Sequence, residues 1–177
     1  MPESPYPLFA IDPGTRKLGW AVLSWREALL ASGTLIPRSH LRGQDRLLWF
    51  LSRLQDLIQQ WRPGVLAYEE FTWRSGANNT EHYVVGRPDM ERLLGGIQGL
   101  ALQPPFPVLM GLLPQAWGQR LVGHPAHEKS QIAWAVNARL GTAFRGDALD
   151  NHVADAVGIG LVALDRLRYT QRLQGGQ

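Results

Sequence analysis

The sequence predicts an α/β fold in which helices flank both faces of a mixed five-stranded sheet. Short apolar runs typical of buried strands alternate with longer segments of helical periodicity, in the order three strands, helix, strand, helix, strand, helices. The 177 residues contain no internal repeat. We expect them to form one domain over 1–177, with flexible ends at 1–6 and 170–177.

The first half of the chain supplies four of the predicted strands. "YPLFAID" (6–12) ends at a Pro-Gly turn, and "KLGWAVLSW" and "ALLASGTLI" follow as an antiparallel meander. Apolar residues at helical spacing over 41–62 predict a helix that ends at Pro63 and Gly64. "VLAYEEF" (65–71) is the fourth strand.

The second half begins with a polar segment rich in Gly and Asn, 72–88, which predicts a long mobile loop. Asp89 then opens the helix "DMERLLGGIQGLAL", and "FPVLMGLL" is the fifth strand. Two helices follow in "PQAWGQRLV" and "HEKSQIAWAVNARLG", the second ended by Gly141. The loop "TAFRGDAL" leads to the last helix, which starts within "DNHVADAVGIGLVAL".

Composition narrows the class of protein. An apolar fraction of 45% with 7 Trp indicates a folded globular chain, and the absence of Cys excludes disulfides, thiolate metal sites and cysteine nucleophiles. No apolar run approaches the roughly 20 residues that cross a membrane, and "MPESPYPLFA" lacks the features of a secretory signal, so we expect a cytoplasmic protein. The net charge of +3, with 16 Arg and 2 Lys, permits a polyanionic partner without requiring one.

Carboxylates stand at the ends of two predicted strands. Asp12 follows the first strand within "DPG", where a functional carboxylate and a simple Asp-Pro-Gly turn are both compatible with the sequence. Glu69 and Glu70 end the fourth strand, and because strand side chains alternate, one of the two lies on a face covered by helices. An unpaired carboxylate there is costly and favours a metal or a partner cation, whereas a solvated strand end is the alternative.

The first turn of the last helix carries further polar groups. His152 and Asp155 share one helix face, and Asp150 suits the N-cap position. A cap does not account for His152, because a protonated imidazole is unfavourable at a helix N-terminus, whereas a neutral imidazole acting as a metal ligand is compatible. Clustered carboxylates repel unless a cation separates them, and oxygen ligands favour Mg²⁺ or Mn²⁺. Two such ions about 4 Å apart can clamp a phosphodiester for in-line hydrolysis.

Four segments resemble the RuvC family of Holliday junction resolvases (crossover junction endodeoxyribonucleases) in order and spacing: "AIDPGTRKLGWAVL", "VLAYEEF", "HEKSQIAWAVNARLG" and "HVADAVGIGLVAL". The similarity runs from about residue 8 to 165. It implies an RNase H-like fold, a homodimer, and two Mg²⁺ ions per active site for which Mn²⁺ substitutes. It also implies cutting of four-way DNA junctions in recombination and repair, with a branch-migration complex as a candidate partner.

The resemblance also implies roles for individual residues. Asp12, Glu69 and Asp155 match the catalytic carboxylates that bind the metals, and Glu70 would face away. His152 falls where many members have Asp and others have His, so it joins the catalytic and metal-binding set. Lys129, in "EKSQ", matches a basic residue that supports the scissile phosphate, although spacing alone favours a solvated charge on a helix.

Two features depart from the family's pattern. Gly118 stands where the family commonly has a second Lys, and Arg120 is the candidate substitute. The segment after Glu69 is longer than usual and is expected to carry an aromatic wedge that stacks at the opened junction. The candidate DNA contacts are Phe71, Trp73, Arg74, Arg87, Arg120 and Lys129. For the two aromatic residues, core packing is the alternative.

The resolvase interpretation competes with three others. A RuvC-like nuclease of relaxed specificity would act on flaps, forks or RNA precursors. "IDPGTRKLG" also fits the first phosphate loop of actin-like and sugar-kinase phosphotransferases, although those enzymes need two such domains. A catalytically inactive nucleic-acid-binding module would lack the carboxylates, which are all present. For a homodimer, the helices at 41–62 and 89–103 are the candidate interface, because "LLGGIQG" contains small residues.

Overall fold

A mixed five-stranded sheet forms the centre of the computed structural model. Its strands are β1 (Leu8–Asp12), β2 (Leu18–Leu23), β3 (Leu29–Leu35), β4 (Val65–Glu69) and β5 (Val108–Leu112). They lie in the order β3-β2-β1-β4-β5; β2 is antiparallel to its neighbours β1 and β3, whereas β4 and β5 run parallel to β1. The structure describes residues 6–70, 80–105, 107–124, 128–145 and 150–175, and the side chains of all of these except 80–87 and 175.

Helices cover both faces of the sheet, which confirms the predicted fold class. They are α1 (Gly43–Trp61), α2 (Thr80–Leu100), α3 (Pro114–Val122), α4 (Lys129–Leu140) and α5 (Asn151–Gly175). The α5-side core joins the sheet to α3, α4 and α5, and the α1-side core joins it to α1 and α2. Within the described ranges no helix is both long and apolar enough to cross a membrane.

Strand alternation decides which side chains reach each core. In β1, Leu8 and Ala10 belong to the α5-side core, whereas Phe9 and Ile11 belong to the α1-side core. All five residues of β1 are buried because the strand lies in the middle of the sheet, with a helix layer on each face. The same alternation places Asp12, the last residue of β1, on the α5 side.

α5 lies directly on β1 and β2 because glycines remove the side chains that would separate them. A Cβ at Gly19 would lie 1.8 Å from the carbonyl oxygen of His152 in the first turn of α5. A Cβ at Gly160 would lie 2.3 Å from Leu23 and 3.2 Å from the Cβ of Ala10. Helix and sheet therefore approach more closely than ordinary side chains allow.

The start of α2 differs from the prediction. Residues 80–88, predicted as part of a loop, are helical, and Pro88 lies inside α2. A proline within a helix removes one backbone hydrogen bond and does not have to end the helix. Asp89 therefore does not open the helix; its carboxylate lies 3.4 Å from Arg46 of α1 and 3.9 Å from Arg92. Residues 72–79 lie outside the described part of the chain.

The other elements begin and end within a few residues of their predicted positions, and α5 runs as far as Gly175. The single domain over 1–177 and its flexible ends, 1–6 and 170–177, stay predictions.

Gly19→Ala should destabilise the protein by about 1–3 kcal/mol or more, because the new methyl group meets a backbone carbonyl that cannot rotate away without moving α5. Urea unfolding measures the change. The control is Gln171→Ala, at an exposed position of α5. There the stability should stay within about 0.5 kcal/mol of that of the wild type. An unchanged stability in Gly19→Ala would show that α5 does not press on β2.

Candidate active site

β1 and α5 bring the first two polar groups of the site together. Asp12 is 7% exposed at the end of β1. The Nδ1 atom of His152, in the first turn of α5, lies 2.6 Å from Oδ2 of Asp12. Because an ionised carboxylate only accepts hydrogen bonds, Nδ1 carries the hydrogen, and in a neutral imidazole Nε2 keeps its lone pair.

β4 contributes Glu69 to the same face. Val65 and Ala67 belong to the α5-side core, so alternation along β4 places Glu69 on that side too. Oε2 of Glu69 accepts a hydrogen bond of 2.7 Å from Nε1 of Trp117, a buried residue of α3. The indole ring lies against Gly158 of α5, where a Cβ would come within 3.1 Å of it. The indole therefore fixes the direction of the Glu69 carboxylate.

α4 and α5 supply the next pair. Asp155 lies about one turn after His152 in α5, and its Oδ2 is 3.7 Å from Nζ of Lys129. Lys129 is the first residue of α4, which begins with a capping box between Glu128 and Gln131. The side chain of Lys129 is 60% exposed and that of Asp155 is 14% exposed. The ammonium group therefore stands on the solvent side of the carboxylates.

Burial and mutual repulsion raise the pKa of two of the carboxyl groups. The pKa of Glu69 rises to about 7, first through burial and then through the negative charge of Asp12, while the hydrogen bond from Trp117 opposes the rise. The pKa of Asp155 also rises to about 7, through burial and then Asp12, with Lys129 opposing. Both groups lack sufficient nearby positive charge, a condition that a bound cation would relieve.

The three carboxylates have the donor chemistry of a site for Mg²⁺ or Mn²⁺. The contacts of Asp12, Glu69 and Asp155 given above each use one carboxylate oxygen, which leaves the second oxygen of each as a ligand atom. In the side-chain positions that the structure describes, no group of three His, Asp or Glu residues is arranged to hold a metal ion. The residues fit a divalent cation by charge and donor type.

The structure places the remaining predicted residues as follows. Asp150 directly precedes α5 and its backbone carbonyl accepts a 2.8 Å hydrogen bond from Ala154, as at an N-cap. Glu70 lies beside β5, where a Cβ on Gly111 would come within 2.0 Å of its carboxylate. Arg120 is exposed in the last turn of α3. Outside the described positions are Phe71, Trp73, Arg74 and the side chain of Arg87.

Trp117 is the site residue that sequence reasoning missed. Its segment, "PQAWGQRLV", predicts a short helix in which a tryptophan is an ordinary core residue. The nearest signal is the neighbouring Gly118, which stands where the resemblance leads one to expect a Lys. The hydrogen bond to Glu69 depends on where α3 lies relative to β4, which the spacing of residues does not reveal.

The raised pKa values predict that the metal-free protein loses stability as the pH rises. Glu69 and Asp155 bind protons more tightly in the folded chain, so stability falls between the unfolded values, 4.5 and 3.8, and about 7. Glu69→Gln cannot ionise, and its amide oxygen still accepts from Trp117. The variant should therefore lose less stability than the wild type across this range. Urea unfolding in EDTA at a series of pH values measures the difference.

The matched control for this series is Asp56→Asn, which changes an exposed carboxylate on α1, 61% exposed, and should keep the pH dependence of the wild type. Parallel curves for Glu69→Gln and the wild type would contradict the assignment of the raised pKa to Glu69.

Comparison with known proteins places this chain in a family. The chain is 30% identical over 165 residues to crossover junction endodeoxyribonuclease RuvC of Caulobacter vibrioides, covering 89% of this chain and 88% of the relative. RuvC of Maricaulis maris is 28% identical, covering 81% and 84%. The structure of Thermus thermophilus RuvC in complex with Holliday junction substrate has a TM-score of 0.72 and 24% identity, covering 88% of this chain and 91% of that one. No protein-family model matches the chain.

The matched lengths agree with the span of the resemblance, and the shared structure confirms the RNase H-like fold. On an identity of 30% over nearly nine tenths of both sequences, this chain belongs to the RuvC family of crossover junction endodeoxyribonucleases.

Proposed function

We propose that this chain is a metal-dependent, structure-selective endonuclease that resolves four-way (Holliday) DNA junctions by paired symmetric nicks, in recombination and repair in the cytoplasm. One observation carries the proposal: Asp12, Glu69 and Asp155 converge from β1, β4 and α5 on one face of the sheet. Its relatives are named for cutting crossover junctions, and Thermus thermophilus RuvC was solved with a Holliday junction.

The residues of the site have separable roles in this reaction. Asp12, Glu69, His152 and Asp155 would hold two Mg²⁺ ions, for which Mn²⁺ would substitute. When bound, such ions activate water and neutralise the charge that develops at the scissile phosphate. The hydrogen bond from His152 orients Asp12 and leaves Nε2 as the ligand atom. Lys129, on the solvent side, would pair with a phosphate oxygen of the substrate.

The proposed DNA contacts outside the carboxylates are of two kinds. Arg120 and Lys129 are exposed on α3 and α4, so both can reach a phosphate. The remaining proposed contacts rest on the resemblance to resolvases: Phe71, Trp73, Arg74 and Arg87. A branch-migration motor as partner rests on the same resemblance.

The proposal includes a homodimer, because symmetric nicking needs two active sites related by a two-fold axis. α2 offers a surface for it. A Cβ at Gly95 or Gly99 meets no atom within 4 Å, whereas one at Gly96 would lie 2.5 Å from Leu51 of α1. Gly96 thus serves packing within the chain, while Gly95 and Gly99 leave room for the helix of a second copy.

Asp12→Asn and Asp155→Asn should each lower cleavage of a labelled four-way junction by about 10³-fold or more while leaving binding intact, because an amide lacks the charge that holds a divalent cation. Gel electrophoresis should show paired symmetric nicks with wild type in Mg²⁺ or Mn²⁺, and none in EDTA. The control, Asp56→Asn, should cut normally. Cutting retained in both site variants would contradict the site. Equal cutting of flaps or linear duplex would keep the chemistry and remove the junction preference.

Gly99→Arg should convert the dimer into a monomer, because a long charged side chain fills the space that the second helix needs. Light scattering coupled to gel filtration measures the mass. Gln171→Arg, which adds the same side chain to an exposed position of α5, should stay dimeric. A monomeric wild type would contradict the dimer, and a dimeric Gly99→Arg with normal thermal unfolding would move the interface away from α2.

A further inference from the structure

Four arginines line one groove beside the connection between β1 and β2. Arg16 comes from that connection, Arg38 and Arg42 come from the segment between β3 and α1, and Arg46 comes from the start of α1. The groove has a volume of about 440 Å³, and none of the described residues that line it is acidic. We call it the arginine groove.

Most of the positive charge in the arginine groove is not neutralised by the protein. Within the ranges that the structure describes, neither Arg16 nor Arg38 pairs with a carboxylate. Both side chains are exposed. Arg42 donates through Nη1 to the backbone carbonyls of Ser39 and Leu41, which orient the guanidinium without cancelling its charge. Three cations therefore face one groove whose described lining contains no anion.

Arg46 is the exception and has a structural role. Its Nη2 lies 3.4 Å from Oδ2 of Asp89, a carboxylate that it shares with Arg92 at 3.9 Å. This pair joins α1 to α2. Arg46 therefore belongs to the wall of the groove, while Arg16, Arg38 and Arg42 supply its free charge.

The arginine groove begins beside the active site. Arg16 follows Asp12 by four residues, so their Cα atoms are at most about 14 Å apart. Between them, Gly14 lies against the imidazole: a Cβ there would be 3.8 Å from Cε1 of His152. Each nucleotide of a DNA strand advances about 3.4 Å along the helix axis, so the Cα atom of Arg16 lies within about four nucleotide steps of that of Asp12.

We propose that the arginine groove binds the phosphates that flank the scissile phosphate on the strand held in the active site. The inference rests on the proposed nuclease function and adds to it a surface that holds the cleaved strand in register. Guanidinium groups match phosphate oxygens in geometry and charge. Contacts to phosphates carry no sequence information, which suits an enzyme that selects a branched structure.

Salt dependence of binding tests the charge of the groove. The parent protein is Asp12→Asn, which keeps the junction uncut, and the variant adds Arg16→Gln, Arg38→Gln and Arg42→Gln. The slope of log K against log salt should become shallower by about 0.9 for each phosphate that the protein no longer neutralises, close to 2.7 in total. Filter binding or fluorescence anisotropy between about 50 and 200 mM NaCl measures it.

The matched control adds Arg166→Gln to the same parent. Arg166 is exposed on α5, eleven residues beyond Asp155 and so about 16 Å farther along the helix. Its slope should equal that of the parent. If the triple variant unfolds at the normal temperature and its salt slope equals that of the parent, the proposal is overturned.

Replacing single phosphates by uncharged methylphosphonates shows which phosphates of the DNA contact the arginine groove. Methylphosphonates are placed singly at the four nucleotides on each side of the cleaved bond. At one or more of these positions the substitution should weaken binding to the parent several-fold and have no further effect on the triple variant. If the methylphosphonates weaken binding equally in the parent and in the triple variant, those phosphates contact another part of the surface. That result would overturn the assignment of the flanking phosphates to the arginine groove.

Cleavage by the wild type distinguishes a failure of the proposed nuclease function from a failure of the proposed arginine groove. If wild type cuts the junction in Mg²⁺ while the triple variant keeps the parent's salt slope, the nuclease function stands and the arginine groove does not bind DNA. If wild type neither binds nor cuts branched DNA in any divalent metal, both proposals fail.

Discussion

The contact between the first turn of α5 and β2 is the constraint on which the site depends. Gly19 pairs with Asp12 in the ladder between β1 and β2, and its missing side chain lets the carbonyl oxygen of His152 lie where a Cβ would be. Because of that approach, His152 stands beside Asp12, and Asp155 stands next to Lys129 one turn later. A single backbone contact thus brings α5 into register with the ends of β1 and β4.

Glu27 shows how this chain treats a carboxylate that serves structure. Arg139 donates to both of its oxygens at 2.8 Å and Arg168 donates as well, which lowers the pKa of Glu27. Glu27 has a φ of 64°, a strained value for a residue with a side chain, in the turn between β2 and β3, where its backbone N–H donates a 3.0 Å hydrogen bond to the carbonyl oxygen of Ser24. Glu69 and Asp155 show the opposite shift. The carboxylates of the candidate site are therefore gathered with less positive charge beside them than Glu27 has, and their ionisation costs stability when no further cation is present.

The sheet and the carboxylates could be predicted from the sequence because they depend on local patterns. Apolar runs bounded by turn residues mark the strands, and alternation places one of Glu69 and Glu70 on a face covered by helices. The resemblance to the RuvC family selects Glu69 of the two. The start of α2 could not be predicted, because Pro88 and the Gly- and Asn-rich segment before it indicate a loop more strongly than the short apolar pattern indicates a helix. The contact of Trp117 with Glu69 and the arginine groove could not be predicted either. Each depends on segments that are distant in sequence and meet only in the fold.

The net charge of +3 includes both an acidic cluster and a basic groove, and the proposed function needs both. An acidic centre that binds a cation repels the phosphates of a DNA strand, whereas a basic surface attracts them. In this chain the two sets of charges come from different residues: the described lining of the arginine groove holds no acidic residue, and the carboxylates converge on the α5 side of the sheet. Mixing the two sets of charges would weaken both interactions, so their separation in the fold is itself part of the proposed site.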